Sequence, residues 1–562
     1  MRRFKVIIFV FTISVCLVAS CVYSQQRLEI SPLNPQFTKH LSEKSEKTPA
    51  YGLGKFPLGA FPSPLDLSHL KKEKSAGKIL SLPASYDLRN YGKVTEVKDQ
   101  QDCGACWAFG SIASMESYLL PQETRDFSEN NLKNKHGFDY TCCYGGNVDM
   151  ATAYFARWNG PVNEKDDSYN SSCSSPSSLT TQKHIQNVIY LPGRWSADDN
   201  DYIKQCIMNF GAVTTSMYWD DNSYNPTTSS YYYDGGTDTN HLVAIIGWDD
   251  NFSSSKFAYS PPGNGAFLVK NSWGKSFGSS GYFWVSYYDS SFAYWYSGFF
   301  SADSTSNFEN IYQYDTLGMT SSVGYSSSTA WAANIFTALS DTTIAAVGSY
   351  FLAENSPIEV YIYTQCAANS PVSGTLAFSG AGNISYAGYM TASLDPPVSI
   401  GAGQTFSIVC KMTTYGYNYP IPIETPIDGY SSGAQALSGQ SFCSSNGTSW
   451  DDLNSYFPGS NVCIKAFTKA GAPPPPVDPP VINSMQKLGS PFRIAVNGGN
   501  LKNNLKVYID GYEWTTIKWK SESQIILKGG SSLKALVPKN TWTTFLFVNP
   551  DGGETTFEWK WP

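Results

Sequence analysis

The sequence predicts an α+β chain in which one mixed helix-and-strand region is followed by two all-β sandwich domains. Three observations carry that reading. Ala108, Ile112, Met115 and Leu119 recur at spacings of four, three and four, which is the period of one helix face. Ile358, Val360 and Ile362 alternate with Glu359, Tyr361 and Tyr363, as do Phe406 and Ile408 with Ser407 and Val409, and Gly, Pro or Ser turns bound these runs. Beyond a proline linker, the short runs Phe492–Val496, Lys506–Ile509, Gln524–Leu527 and Thr544–Val548 suit a small immunoglobulin-like sandwich.

In order, residues 1–24 read as an export signal, with Arg2, Arg3 and Lys5 ahead of an apolar stretch from Val6 to Ala19 that is too short to span a membrane comfortably. Two exits stay open: cleavage to a soluble form near Val22-Tyr23-Ser24, or a lipoprotein box at Val18-Ala19-Ser20-Cys21 that would leave a lipid anchor on Cys21. Residues 25–81 are polar, lysine-rich and broken by Pro57, Pro62 and Pro64, a leader that packs on something else rather than on a core of its own. Residues 82–301 form the mixed region, with helices early (Cys106 to Leu120, Asp149 to Trp158) and strands later (Leu242 to Gly247, Ala266 to Lys270, Tyr282 to Tyr287). Residues 307–469 form the first sandwich, 470–480 the stiff linker and 481–562 the second sandwich.

Composition narrows the partners. Only 15% of residues are charged, the net charge is -7 and no basic stretch exists to neutralise phosphates, so nucleic acid is excluded. No later apolar run is long enough for a membrane span. An exported chain with ten cysteines beyond residue 24 makes disulfides an expectation, with Cys206, inside the apolar-periodic segment Tyr202 to Phe210, the candidate for a buried free thiol. Asp-rich pieces such as Asp249-Asp250-Asn251 lack a calcium-loop spacing, so neither metal nor cofactor is expected.

The chemistry concentrates at Gln100 to Gly110. Cys106 sits in the first turn of the helix, where unpaired amides and the positive end of the dipole favour a thiolate. Read alone, Cys103-Gly104-Ala105-Cys106 is also compatible with a redox pair, half a zinc site or plain core. A nucleophile needs a base, a group to orient that base and donors for an oxyanion. Of the five histidines, His40 and His69 lie in the leader and His136 and His184 in polar surroundings, whereas His241 heads the apolar strand Leu242–Gly247. Asn271 follows a second apolar strand and is placed to hold the imidazole, with Trp273 to shield that bond, and Gln100 is placed to donate to an oxyanion beside the amide of Cys106.

Val97 to Phe109, Asn240-His241-Leu242-Val243 with Gly247-Trp248, and Asn271-Ser272-Trp273-Gly274 with Gly281-Tyr282 resemble, in that order, the cysteine, histidine and asparagine segments of the papain family of cysteine proteases. Ser128-Glu129-Asn130-Asn131-Leu132 and Cys143-Tyr144-Gly145-Gly146 resemble it too. The resemblance covers about Leu82 to Tyr288 and implies two subdomains, one helical and one barrel-like, with the active site between them. It implies Cys106 as nucleophile, His241 as base, Asn271 as the orienting residue and Gln100 as oxyanion donor. It further implies a Cys103–Cys143 disulfide, substrate pairing along Gly145 and Gly146, and a pocket lined by Val148 and Ser216, with Trp273 beside the cleft. Three departures stand out: Lys135 in place of a family cysteine, with Cys142 and Cys173 as a replacement pair, Phe277 in place of a tryptophan, and Asn240 in place of an aspartate. The leader also lacks the long helical pattern of papain propeptides.

Ser31-Pro32-Leu33-Asn34-Pro35, Pro64-Leu65-Asp66-Leu67-Ser68 and Tyr314-Asp315 with Leu317-Gly318 resemble a narrower group of secreted bacterial or archaeal papain-like proteases that carry a lectin-like domain. Asn549-Pro550-Asp551-Gly552-Gly553 resembles an IPT/TIG domain. The expectation is therefore an exported, extracellular or cell-surface cysteine endopeptidase, monomeric, acting on protein or peptide substrates, with cell-surface glycans as candidate ligands of residues 307–469. The alternatives are a surface adhesin whose protease fold only binds, and an acyltransferase using the same groups. An adhesin would have no need to keep Cys106, His241 and Asn271 together.

Overall fold

The computed structural model describes residues 27–44, 55–71, 82–470 and 479–562. The export signal, Cys21 and most of the proline linker lie outside the described residues. The chain divides into two compact units, one built from residues up to 469 apart from two short loops, the other holding those loops and residues 470–562.

Five helices matter to the first unit: α1 (Pro35–Lys44), α2 (Cys106–Leu119), α3 (Glu129–Lys135), α4 (Val148–Ala156) and α5 (Asp201–Asn209). Helix α2 is buried on almost every side, which its small residues Ala108, Gly110, Ser111, Ala113 and Ser114 permit. Polar side chains start the shorter helices: Ser128 accepts from the backbone of Asn131 at α3, and Asn147 from that of Met150 at α4. Helix α5 carries Cys206, which is buried and free.

Opposite the helices stands a sheet in which Val213–Met217, His241–Asp249, Ala266–Lys270 and Tyr282–Ser286 are successive antiparallel neighbours. The same sheet runs on through Ser297–Phe300 and Val188–Leu191 into strands of residues 307–469, to a total of 13 strands. The crossing point pairs Ile189 with Gly388 and Val188 with Tyr389. Gly388 has φ +118°, and a Cβ there would lie 2.0 Å from Val188 O, so only glycine lets the strands join.

A four-stranded sheet shared with the leader and a six-stranded sheet complete the lectin-like region. In the six-stranded sheet, strand Ser356–Thr364 alternates buried and half-buried as the sequence predicts. Strand Thr405–Thr413 does not: Phe406 to Cys410 are all buried, so both of its faces are covered there. Cys366, Cys410, Cys443 and Cys463 are buried free thiols, and the two disulfides join Cys103 to Cys143 and Cys142 to Cys173.

The leader is threaded over both regions of this unit. Its strand Glu29–Ile30 pairs with Val323 and Gly324 of the lectin-like region, and Phe37 of α1 and Phe61 join one hydrophobic core with Trp107 and Tyr430. The second unit consists of two four-stranded antiparallel sheets closed over Ile494, Val496, Val507, Ile525, Phe545 and Phe547.

Candidate active site

Cys106 is the first residue of α2, and the helix is pressed against strand His241–Asp249 so closely that the amide of Leu242 donates to Cys106 Sγ at 3.4 Å. One turn on, a Cβ on Gly110 would meet Thr214 Oγ1 at 2.6 Å, so a glycine there sets the approach of the helix to the neighbouring strand Val213–Met217. The next residue back from Leu242 is His241. Its Nε2 lies 2.8 Å from Asn271 Oδ1, the Trp273 ring stacks on its imidazole at 4.5 Å, and Nδ1 is buried with no partner. The bond to Asn271 fixes the tautomer: Nε2 carries the proton and Nδ1 is left as the basic atom.

Gln100 is fully buried beside them. Its Oε1 accepts from Ser272 Oγ at 2.6 Å, while Nε2 donates to Cys103 O at 2.8 Å and to Pro57 O of the leader at 3.2 Å. Trp273 Nε1 donates to the same Pro57 carbonyl at 2.9 Å. A peptide carbonyl therefore rests on the amide proposed for the oxyanion. Ser272 and the Leu242 amide are site groups that the sequence reading passed over, although Ser272 stood inside the quoted asparagine motif.

Gly145 and Gly146 form the rim. Gly146 N donates to Gly59 O at 2.9 Å and Phe61 N to Gly146 O at 3.3 Å, which brackets a parallel bridge between Ala60 and Gly146. On the far side, Gly59 N and Ala60 N both donate to Asn240 O at 3.0 Å. Val148 and Ser216 line a small recess with Phe61, Leu242, Trp295 and Tyr296. Phe56 fills a box of rings, stacked on Trp273 at 4.5 Å and edge-on to Phe277 at 5.3 Å and Trp219 at 5.9 Å.

The leader leaves Cys106 and His241 with no exposed surface. Burial pushes the Cys106 thiol up to about 12, against the pull of nearby backbone N–H groups, and it pushes His241 down to about 4, against the bond from Asn271. Thiol and imidazole are both neutral in this covered state. Behind the site, Lys98 reaches Glu129 at 2.9 Å and Asp126 at 2.7 Å, and Lys270 donates to Thr95 Oγ1 at 2.8 Å. These bonds anchor the segments that carry Gln100 and Asn271. Among the described residues, no group of three or more His, Cys, Asp or Glu is placed to hold a metal ion.

Residues 82–294 match the family model "Papain family cysteine protease". Those residues are a papain-family cysteine protease domain. A second model, "Lectin like domain", matches residues 311–468. The crystal structure of the cysteine protease and lectin-like domains of Cwp84, a surface layer associated protein of Clostridium difficile, is 26% identical, with a TM-score of 0.66, and the match covers 79% of this chain and 98% of that one. The clostridial protease Cwp84 after propeptide cleavage is 27% identical, with a TM-score of 0.60 over 69% of this chain and 99% of that one. Falcipain-3 of Plasmodium falciparum is 30% identical over 227 residues, 38% of this chain and 42% of that protein. The chain spans about half the length of the curated relatives it matches first. Relatives and fold agree that the protease domain is that of a cysteine-type hydrolase, and it is joined to a lectin-like domain.

Proposed function

We propose that the chain is an exported cysteine endopeptidase that hydrolyses peptide bonds through a thioester acyl-enzyme and is held inactive by its own leader. The observation that carries this reading is the contact of Cys106 Sγ with the amide next to His241, a histidine whose Nε2 is tied to Asn271 and whose Nδ1 is left unpaired. With the leader gone, water reaches the pair and His241 Nδ1 takes the proton of Cys106. The thiolate attacks a peptide carbonyl, and the oxyanion is met by Gln100 Nε2 and the Cys106 amide. The imidazolium returns its proton to the leaving amine, and a water activated by His241 then splits the thioester. Gly145 and Gly146 hold the substrate backbone, and Val148 and Ser216 receive the side chain two residues before the cut.

The leader supports the same reading, since its segment 56–61 already satisfies the backbone and carbonyl partners a substrate needs. Two disulfides favour an extracellular or cell-surface location, as does the surface layer association of Cwp84. Among the described residues, no helix is long and apolar enough to cross a membrane. Residues 307–469 are assigned to glycan binding on the lectin-like match, and residues 481–562 to an IPT/TIG-like immunoglobulin fold. Cys106→Ala in the purified full chain is expected to abolish proteolysis, by about a thousandfold or more, together with removal of the leader. Survival of both activities would overturn the mechanism.

A further inference from the structure

Tyr430 belongs to the lectin-like region, yet its ring forms part of the wall of the cleft. Asp139 N donates to Tyr430 O at 2.9 Å, and Ser432 N and Oγ donate to the Asp139 carboxylate at 3.1 and 2.8 Å. The Tyr430 hydroxyl donates to Asn147 Oδ1, the cap of α4, at 3.4 Å. None of these bonds involves the leader, so the ring keeps its place when the leader leaves.

Two kinds of ring face Tyr430. Phe138 at 4.9 Å and Tyr140 at 6.1 Å come from the protease domain, whereas Phe37 at 5.1 Å and Phe61 at 6.5 Å come from the leader. Phe61 also lies 4.4 Å from Tyr140 and stacks on His40 at 5.0 Å. Tyr144, stacked on Tyr140 at 4.8 Å, closes the side next to Gly145 and Gly146. Removing the leader takes away Phe37, His40 and Phe61 and leaves a hollow walled by Phe138, Tyr140, Tyr144 and Tyr430. That hollow continues the cleft, because Phe61 is the neighbour of Ala60, which pairs with Gly146.

We propose that this hollow is a substrate subsite that takes an aromatic side chain three residues before the cut bond, one position beyond the Val148–Ser216 recess. Through Tyr430 the lectin-like region then shares in choosing which peptide is cleaved. The leader passes Gln100 at Pro57 and reaches the hollow four residues later at Phe61, opposite to the direction of a substrate. Its Phe61 therefore gives the chemistry of the occupant and not its register: a planar apolar ring offered edge and face by phenol rings. The inference rests on the peptidase reading above.

The test compares two peptides that differ only by Phe or Gly at that position, using leader-free enzyme made from the full chain. The ratio of their kcat/KM values is expected to favour Phe by about tenfold, to fall toward one in Tyr430→Ala, and to persist in Tyr430→Phe, which keeps the ring. Equal rates in the wild type overturn the subsite, and a ratio that survives Tyr430→Ala overturns the part given to the lectin-like region. A leader-free wild type that cleaves neither peptide overturns the peptidase reading and this inference together. A second measurement needs no variant of the enzyme: a synthetic peptide of residues 55–71 is expected to inhibit about tenfold more weakly once it carries Phe61→Ala. Equal inhibition by the two peptides overturns the aromatic subsite.

Discussion

Gln100 is oriented from both ends of its amide, by Ser272 Oγ donating to its Oε1 at 2.6 Å and by its own Nε2 donating to Cys103 O at 2.8 Å. Without the Ser272 bond, Cys103 O is the remaining protease-domain partner that opposes a turn of the amide oxygen toward a developing oxyanion. Ser272→Ala is therefore expected to lower kcat by about three- to tenfold with little change in KM, the size of one buried neutral hydrogen bond, and Ser272→Thr to restore it. Steady-state kinetics on one peptide check this, and a loss confined to KM would contradict it. At this scale the sequence was informative about Cys106, His241, Asn271 and Gln100, which the structure brings together, because motif order and spacing survive in one dimension. It was silent on Ser272 and on the Leu242 amide. Their parts depend on a rotamer and on a helix-to-strand distance that no spacing encodes.

Among the elements, the leader segment 56–63 holds its place by close approach rather than by regular structure. A Cβ on Gly59 would lie 2.4 Å from the carbonyl carbon of Gly104, two residues before the candidate nucleophile. Gly59→Val is expected to lift the leader from its seat and speed alkylation of Cys106 by iodoacetamide about tenfold in the unprocessed chain, the scale of an overpacking penalty. An unchanged alkylation rate would mean that the leader is held elsewhere. Helix α2 was readable from the spacing of Ala108, Ile112, Met115 and Leu119, although the structure buries it on almost every side, and the strand Ala266–Lys270 from its short apolar run, buried at every position. Strand Thr405–Thr413 and the two-residue strand Glu29–Ile30 were harder to read: one is buried on both faces and the other is defined only by its partner.

On the scale of the molecule, protease and lectin-like domains share a sheet through the pairing of Val188 and Ile189 with Tyr389 and Gly388. A chain ending at residue 301 would leave that strand edge unpaired. Residues 25–301 are accordingly expected to aggregate where residues 25–469 stay monomeric, as size-exclusion chromatography would reveal, and a monodisperse shorter chain would show that the shared sheet is dispensable. The shared pairing is not legible in the linear sequence because its partners stand about 200 residues apart. The same molecule sets five cysteines close together: Cys103 bonded to Cys143, Cys142 beside it bonded to Cys173, and Cys106 three residues from Cys103. Only Cys106 must remain unbonded to attack a carbonyl, and it alone of the five lies beneath the leader at 0% exposure while remaining a free thiol. In the language of synthesis the leader is a protecting group: oxidants that reach the surface near Cys143 are kept from the one sulfur that has to stay reduced.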